Sequence, residues 1–122
     1  MRTCLVVNEP TVFRRIVTSI LEKQGFSVAH ADDPPTGVDM CIQTVYDLII
    51  VDVGMPTQGS LSTVSQVRHL EYGYAPKIIA IIPDRDVATI ARALHDGANE
   101  FLCKPFDSQD VHDKIREVGL VD

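Results

Sequence analysis

The sequence predicts an α/β fold: a doubly wound, five-stranded parallel sheet with helices on both faces, in a (βα)5 order. Short apolar runs typical of strands alternate five times with segments of helical period, and strict β-α alternation gives a parallel sheet between helix layers. The first, third and fourth runs are apolar throughout, as central strands buried on both faces are. The predicted strands are Cys4–Val7, Ser27–Ala31, Leu48–Val51, Ile78–Ile82 and Glu100–Cys103.

Each run is followed by a segment whose apolar residues recur at spacings of three and four, which predicts an amphipathic helix. Gly25 and Gly97 follow the first and fourth segments, where glycine commonly ends a helix. The third segment, Leu61 to Leu70, is rich in Ser and Thr and is the least regular of the five. The apolar stripes are Phe13, Ile16, Val17, Ile20 and Leu21; Val38, Cys41, Ile42 and Val45; Val64 and Val67; Val87, Ile90, Ala91 and Leu94; and Val111, Ile115 and Val118.

Length and composition indicate one cytoplasmic domain. The chain has 122 residues, a net charge of −6 and a pI of about 5.0, and 45% of its residues are hydrophobic. We expect a single domain over residues 1–122, and the acidic balance argues against direct nucleic-acid binding. No apolar run is long enough for membrane insertion, and the N-terminus lacks a signal peptide's features. The three scattered cysteines do not predict a zinc site or a disulfide framework.

Three charged segments are interpreted as ordinary helix features. Arg14 and Arg15 are assigned to the solvated face of the first helix. Asp32–Pro35 is interpreted as a loop and helix start, and Asp84–Asp86 as the cap of the fourth helix. None of the three is expected to carry chemistry.

Polar side chains follow the strands at their carboxyl ends. Asn8 and Glu9 come after the first strand, Asp52 after the third and Lys104 after the fifth. Ligands of an open parallel sheet bind beyond this edge, so these side chains are expected to converge. Two carboxylates and an amide oxygen suit Mg²⁺, and a lysine can hold a phosphoryl oxygen. A carboxylate beside Mg²⁺ can also act as a nucleophile and form an aspartyl phosphate.

Four motifs give the chain its resemblance to a known family. They are VVNEP at 6–10, DLIIVD at 47–52 followed by Met55-Pro56 and Gly59, PKIIAII at 76–82, and GANEFLCKPF at 97–106. With these motifs the whole chain resembles the receiver domain of two-component response regulators, the CheY-like family, whose fold is flavodoxin-like. The segment DVATIARALHDGANEFLCKPFD and the later EVGL are similar to stand-alone CheY-type proteins of alphaproteobacteria.

The resemblance implies a role for each matching residue. Asp52 is expected to be the phospho-acceptor, receiving its phosphoryl group from a sensor histidine kinase. Glu9 and Asp52, with the backbone carbonyl of Gly54, are expected to bind Mg²⁺. Lys104 is expected to contact the phosphate, and a cis peptide bond is expected before Pro105. The protein would then be a phospho-acceptor with at most slow self-catalysed phosphorylation and dephosphorylation, and not an enzyme in the usual sense.

Two residues depart from the family pattern. Asn8 replaces the first of two acids; its amide can accept from a metal-bound water but adds no charge, so Mg²⁺ binding is expected to be weaker. Ile82 replaces a Thr or Ser whose hydroxyl bonds the phosphoryl group and couples it to the aromatic switch position, Phe101. Isoleucine has no donor, and Pro83 removes a backbone N–H. We therefore expect an altered switch.

Competing functions follow from these departures. The first is a phosphorylated signalling domain, with a role in chemotaxis suggested by the narrower resemblance, whose target binds the face of the fourth helix, fifth strand and fifth helix. The alternative is a degenerate, phosphorylation-independent interaction module. A flavodoxin-like cofactor binder shares the fold, but the stretch 8–11 lacks a glycine-rich phosphate loop. A hydrolase of the aspartyl-phosphate type would need a second Asp where Gly54 stands.

Overall fold

The computed structural model describes residues 2–54 and 62–120. Their strands form one parallel sheet with the order β2-β1-β3-β4-β5, which confirms the predicted fold class. Each predicted strand is present. The first, second and fourth begin one or two residues earlier than predicted, and the third ends one residue later because it includes Asp52. The strands are β1 (Arg2–Val7), β2 (Phe26–Ala31), β3 (Leu48–Asp52), β4 (Lys77–Ile82) and β5 (Glu100–Cys103).

In the described part of the chain, five helices connect and follow the strands. They are α1 (Val12–Lys23), α2 (Pro34–Gln43), α3 (Thr63–Arg68), α4 (Val87–Asp96) and α5 (Ser108–Glu117). Aspartate side chains cap three of them: Asp33 accepts from Thr36 N, Asp86 from Ala88 N, and Asp107 from Asp110 N. The two predicted helix starts at Asp32–Pro35 and Asp84–Asp86 are thereby confirmed. The third helix is shorter than Leu61 to Leu70, and Leu61, Met55, Pro56 and Gly59 lie outside the described residues.

Two apolar cores lie on opposite faces of the sheet. Alternate residues of each central strand point to opposite faces, so Leu5 and Ile49 belong to one core while Val6 and Ile50 belong to the other. Buried residues of α2, α3 and α4 complete the first core, and those of α1 and α5 complete the second. The continuous apolar strands thus hold the carboxyl ends of β1, β3, β4 and β5 together at one edge.

The apolar stripe of α4 does not define its buried face. Val87 is 77% exposed and Leu94 is 40% exposed, whereas Ala93 is the buried residue of this helix. In α2, Ile42 is likewise exposed, and Val45 lies exposed beyond the helix end. Periodicity therefore predicts these helices correctly but only part of their core residues. Within the stripes Cys41 is buried and Ile90 packs against the core, whereas the small side chain of Ala93 is the buried one of α4.

Arg68 holds the opposite edge of the sheet, where β4 and β5 begin. Its guanidinium donates to the carbonyl oxygens of Gly73, Pro76 and Gly97 at 2.9, 2.7 and 2.9 Å. It also donates to Oδ1 of Asn99 at 2.8 Å. Burial lowers the pKa of this guanidinium. One side chain thus ties together the segments that lead into two neighbouring strands.

Candidate functional site

Asp52 is the last residue of β3 and is only 7% exposed. Its Oδ2 accepts from Nζ of Lys104 at 3.0 Å, and its Oδ1 accepts from the backbone N–H of Gly54 at 2.9 Å. Both oxygens therefore have donors, as a buried carboxylate requires. Lys104 follows β5, and the Lys104–Pro105 peptide bond is cis, as expected.

Aromatic side chains support the lysine. Its Nζ lies 4.5 Å from the centroid of the Phe13 ring, a distance at which the ring attracts a cation. Phe13 packs edge-to-face on Phe106, with the ring centroids 5.5 Å apart and the planes at 82°. Phe13 was predicted only as a core residue of the first helix. Its position in the first turn of α1 places it at the active edge of the sheet as well.

The four polar residues predicted to converge line one cleft of about 130 Å³. Asn8, Glu9, Asp52 and Lys104 all contribute to its wall. The complete lining also includes Thr11, Phe13 and Gly54. The cleft therefore combines two carboxylates, an ammonium group and an amide within the reach of one small anion or hydrated cation.

The oxygen donors of this cleft suit Mg²⁺. Glu9 and Asp52 supply two carboxylates, and Mg²⁺ prefers one or two of these together with waters and phosphate oxygens. The described residues hold no cluster of three or more His, Cys, Asp or Glu side chains that would enclose an ion completely. Two carboxylates occupy only part of an octahedral Mg²⁺ shell, and the remaining positions suit water and phosphoryl oxygens.

Arg14 binds the end of β1 and is not solvated. Only 13% of its side chain is exposed, so its assignment to the solvated helix face is wrong, whereas Arg15 is exposed. Its NH2 group donates to the carbonyl oxygens of Asn8 and Ala31, and NH1 pairs with Asp32 at 2.7 Å. The carbonyl of Ala31 also accepts from the backbone N–H of Asn8 at 3.1 Å, so Arg14 adds a second donor where β1 and β2 end.

The amide of Asn8 is fixed by the same arginine. Nε of Arg14 donates to Oδ1 of Asn8 at 2.9 Å. Asn8 is 1% exposed, and among the described residues its Nδ2 has no hydrogen-bond partner. A buried amide N–H group without a partner is uncommon and costly.

The tip of β4 forms the apolar side of the site. Ile82 is fully buried in the core shared by α2, α3 and α4, and it does not line the cleft. The next residue, Pro83, covers Gly54: a Cβ on this glycine would lie 2.7 Å from Cγ of the proline ring. A side chain at position 54 would therefore clash with the proline ring unless the loop shifts.

A larger groove of about 580 Å³ lies between α4, β5 and α5. Val87, Phe101 and Lys114 contribute to its wall, and Nζ of Lys114 lies 5.4 Å from the centroid of the Phe101 ring. Lys114 also pairs with Glu100 at 3.0 Å. Burial raises the pKa of Glu100, but the bond and charge of Lys114, together with hydrogen bonds to Glu117 and the backbone of Phe101, outweigh burial, so the pKa is lowered. Burial lowers the pKa of Lys114, but Glu100 and Glu117 together outweigh it, so that pKa is raised. The predicted switch residue Phe101 thus borders an open, partly charged groove.

An acidic strand tip bound to the lysine that follows β5, in a five-stranded parallel sheet, defines a receiver-type site. A family model described as the response regulator receiver domain matches residues 4–116, and the chain belongs to this family. The predicted family is confirmed. The chain is thus a receiver domain of two-component signalling, a class that interacts with histidine kinases or phosphotransfer proteins.

Curated relatives and solved structures agree with this assignment. The chain is 32% identical over 106 residues to the probable C4-dicarboxylate response regulator DctR of Priestia megaterium, covering 85% of this chain and 46% of that one. It is 27% identical over 115 residues to the chemotaxis protein CheY of Pseudomonas aeruginosa, covering 93% of each. Against CheY4 of Vibrio cholerae the TM-score is 0.86 at 24% identity, covering 97% and 98% of the chains.

A second solved structure has the same fold. The receiver domain of the sensor histidine kinase PA1611 of Pseudomonas aeruginosa, determined with magnesium in its active-site cleft, has a TM-score of 0.85 at 23% identity, covering 95% of each chain. At this identity the likeness concerns the fold alone. The chain spans about half or less of the length of several curated relatives it matches, including DctR at 46% and the sensor kinase CqsS of Vibrio cholerae at 17%.

Proposed function

We propose that the chain is a phospho-accepting receiver in which Asp52 takes a phosphoryl group from a histidine kinase. The observation that supports this most is the Asp52 carboxylate, held between Nζ of Lys104 at 3.0 Å and the N–H of Gly54 at 2.9 Å. A carboxylate oxygen attacks phosphorus of a phosphohistidine whose second ring nitrogen is protonated, and the electron pair of the breaking phosphorus–nitrogen bond returns to the first ring nitrogen. The ring leaves as neutral imidazole and keeps the proton on its second nitrogen. An aspartyl phosphate and a neutral histidine are formed.

The ammonium group of Lys104 and the backbone N–H of Gly54 are hydrogen-bond donors positioned for this step. The ammonium group that now pairs with Oδ2 can follow the developing charge onto a phosphoryl oxygen. Glu9, Asp52 and the backbone carbonyl of Gly54 would hold Mg²⁺, which would neutralise charge on the transferring group when bound. Because both donors already point to the carboxylate, little rearrangement is required at the acceptor.

The proposed output surface is the α4–β5–α5 face, the groove described above with its exposed apolar residues. Val87 and Leu94 contribute apolar area that the fold does not bury, and the groove beside them measures about 580 Å³. Exposed apolar area next to a groove is typical of protein interaction sites. A target in chemotaxis, contacted in the cytoplasm, is supported by the match to a chemotaxis protein CheY that covers 93% of each chain. No described helix is long and apolar enough to cross a membrane.

Phosphorylation can be tested with a small phosphodonor and Mg²⁺, followed by intact mass. We expect the mass to increase by one phosphoryl group in the natural chain and in Asp39→Asn, a control at an exposed aspartate on α2. We expect no increase in Asp52→Asn. A natural chain without added mass, or an increase that survives Asp52→Asn, would show that the proposal is wrong.

One observation favours the alternative of a phosphorylation-independent module. Ile82 has no hydroxyl, and its side chain is buried in the core and does not line the cleft, so it provides no donor to a phosphoryl group. Beryllofluoride, which mimics a phosphoryl group on a carboxylate, separates the two functions. A ligand that binds the native state raises its melting temperature, so we expect a rise with beryllofluoride and Mg²⁺; no rise would favour the alternative. Ile82→Thr should strengthen the response, and an unchanged response would reject Ile82 as the altered switch residue.

A further inference from the structure

The buried amide nitrogen of Asn8 takes no part in the phosphorylation chemistry proposed above. It belongs to a residue that lines the cleft together with Lys104 and Asp52. Among the described residues this nitrogen has no hydrogen-bond partner, although Asn8 is 1% exposed. A donor that is buried without a partner costs about 1–3 kcal/mol. A ligand in the cleft that accepts from it would recover this cost.

Arg14 determines which end of the amide remains available. Nε of a guanidinium can only donate, so the Asn8 atom at 2.9 Å must be the oxygen Oδ1. The reversed orientation would place two donors against each other. The Nδ2 group is therefore the end that Arg14 leaves unused.

The charge of Arg14 is itself satisfied elsewhere. NH1 pairs with Asp32 at 2.7 Å, and NH2 donates to the carbonyl oxygens of Asn8 and Ala31. The guanidinium therefore has its donors directed to β1 and β2. Its effect on the cleft passes through the orientation of the Asn8 amide.

We propose that Nδ2 of Asn8 donates a hydrogen bond to an oxygen of the phosphoryl group on Asp52, with Arg14 as the positioning residue. This inference rests on the proposed function. Lys104 supplies the second donor of the same cleft. An acid in place of Asn8 would present only acceptors and a negative charge to the phosphoryl oxygens. The amide instead reduces the dependence of the phosphorylated state on Mg²⁺.

The test compares the affinity for beryllofluoride in saturating Mg²⁺ with that in magnesium-free buffer. The affinity is measured by calorimetric titration and by the shift in melting temperature. Asn8→Ala removes the donor without adding a charge. We expect it to lower the magnesium-free affinity about tenfold or more and the Mg²⁺-supported affinity by less. Asn8→Asp should lower the beryllofluoride affinity in magnesium-free buffer more strongly than Asn8→Ala does. It should also improve direct binding of Mg²⁺.

Arg14→Gln tests the positioning role, and Arg15→Gln is its matched control. Both remove one charge from neighbouring positions of α1, but Arg15 is exposed. Arg14→Gln should shift the magnesium dependence in the direction of Asn8→Ala, by a smaller factor, and Arg15→Gln should leave it unchanged. If Asn8→Ala does not fold, as judged by circular dichroism, Arg14→Gln decides the question.

The outcomes separate this inference from the function it rests on. If beryllofluoride binds the natural chain in neither buffer, the proposed phosphorylation of Asp52 is wrong, and the role of Asn8 falls with it. If it binds with Mg²⁺ and Asn8→Ala keeps the magnesium-free affinity of the natural chain, only the donor role is overturned. A loss in Asn8→Asp alone would indicate charge repulsion and would also reject the donor role.

Discussion

An arginine and an asparagine meet at each end of the sheet. At the amino end of β4 and β5, Arg68 donates to Oδ1 of Asn99 at 2.8 Å and to three backbone carbonyls. At the carboxyl end of β1, Arg14 donates to Oδ1 of Asn8 at 2.9 Å and to two backbone carbonyls. The two pairs use the same groups in nearly the same way.

The two pairs differ in whether the asparagine keeps a hydrogen-bond donor without a partner. Oδ1 of Asn99 also accepts from the backbone N–H of Ile78 at 2.8 Å, and the residue is exposed, so its remaining amide hydrogens reach water. Asn8 is buried, and its Nδ2 has no partner among the described residues. A saturated pair serves the fold, whereas a buried pair with one spare donor beside a cleft is suited to a ligand.

The largest expected effect is on stability at the amino end. Arg68→Gln removes most of four hydrogen bonds, so we expect the free energy of unfolding to fall by about 2–4 kcal/mol. Urea denaturation measures this. Phosphorylation of Asp52 by a small phosphodonor should continue in the folded fraction, because these contacts lie at the opposite edge of the sheet.

Arg14→Gln serves as the counterpart at the other end. Part of its hydrogen bonding is to Asp32, an exposed carboxylate, and exposed ion pairs contribute little. The loss of stability should therefore be smaller than for Arg68→Gln, while the magnesium dependence changes only for Arg14→Gln. A larger loss of stability for Arg14→Gln would mean that both pairs are mainly structural.

Matched substitutions of the two asparagines sharpen the contrast. Asn99→Ala removes an acceptor of two donors and should cost about 1–2 kcal/mol. Asn99→Asp keeps an oxygen for both and should cost clearly less in urea denaturation. If Asn99→Asp destabilises as much as Asn99→Ala, the oxygen of Asn99 is not what holds this edge.

A smaller effect is expected on the apolar side of the site. In Gly54→Ala the new methyl group would lie 2.7 Å from Cγ of Pro83, and overpacking of this kind costs about 1–3 kcal/mol. We expect the lower half of this range, because Pro83 is exposed and its loop has room to shift. The double variant Gly54→Ala, Pro83→Ala should recover most of the loss in thermal denaturation.

Non-additivity is the decisive observation for this pair. Pro83→Ala alone should have little effect, because it removes only an exposed ring. If the losses of the two single variants simply add in the double variant, Gly54 is glycine for a reason other than contact with Pro83.

The sheet and the charged pair could be predicted from the sequence because both follow from local patterns. Continuous apolar runs predict central strands, and the first polar residue after each run lies at the shared edge. Asp52 and Lys104, although far apart in the sequence, are therefore predicted to lie close together. The side chains then meet at 3.0 Å.

What could not be predicted depends on partners that are distant in sequence. Arg14 has the spacing of a surface residue, and its acceptor at Ala31 is known only once β2 lies beside β1. The lack of room for a side chain at Gly54 is known only once the fold places Pro83 over it. The exposed stripe at Val87 and Leu94 shows a further limit: periodicity identifies an apolar face but not whether the fold or a partner covers it.

The smallest expected effect is a shift in the pKa of His30, which reports on the charge of Arg14. His30 lies in β2, and its Nε2 is 2.8 Å from Oγ1 of Thr18. Burial lowers its pKa below the usual 6.5, and the nearby Arg14 lowers it further. Since the native state then binds fewer protons than the unfolded chain below this pH, stability is lost as the pH falls from about 6.5 through the lowered pKa.

Arg14→Gln should raise the pKa of His30 towards its usual value, because one of the two main causes of its depression is removed while burial remains. An NMR titration of the imidazole resonances measures this, and Arg15→Gln is the control for the loss of a charge from α1. An equal rise in both variants would mean that His30 senses the net charge of the helix. A rise confined to Arg14→Gln would indicate that, in the dissolved protein, the Arg14 guanidinium lies at the end of β1, bonded to Asn8 and Ala31.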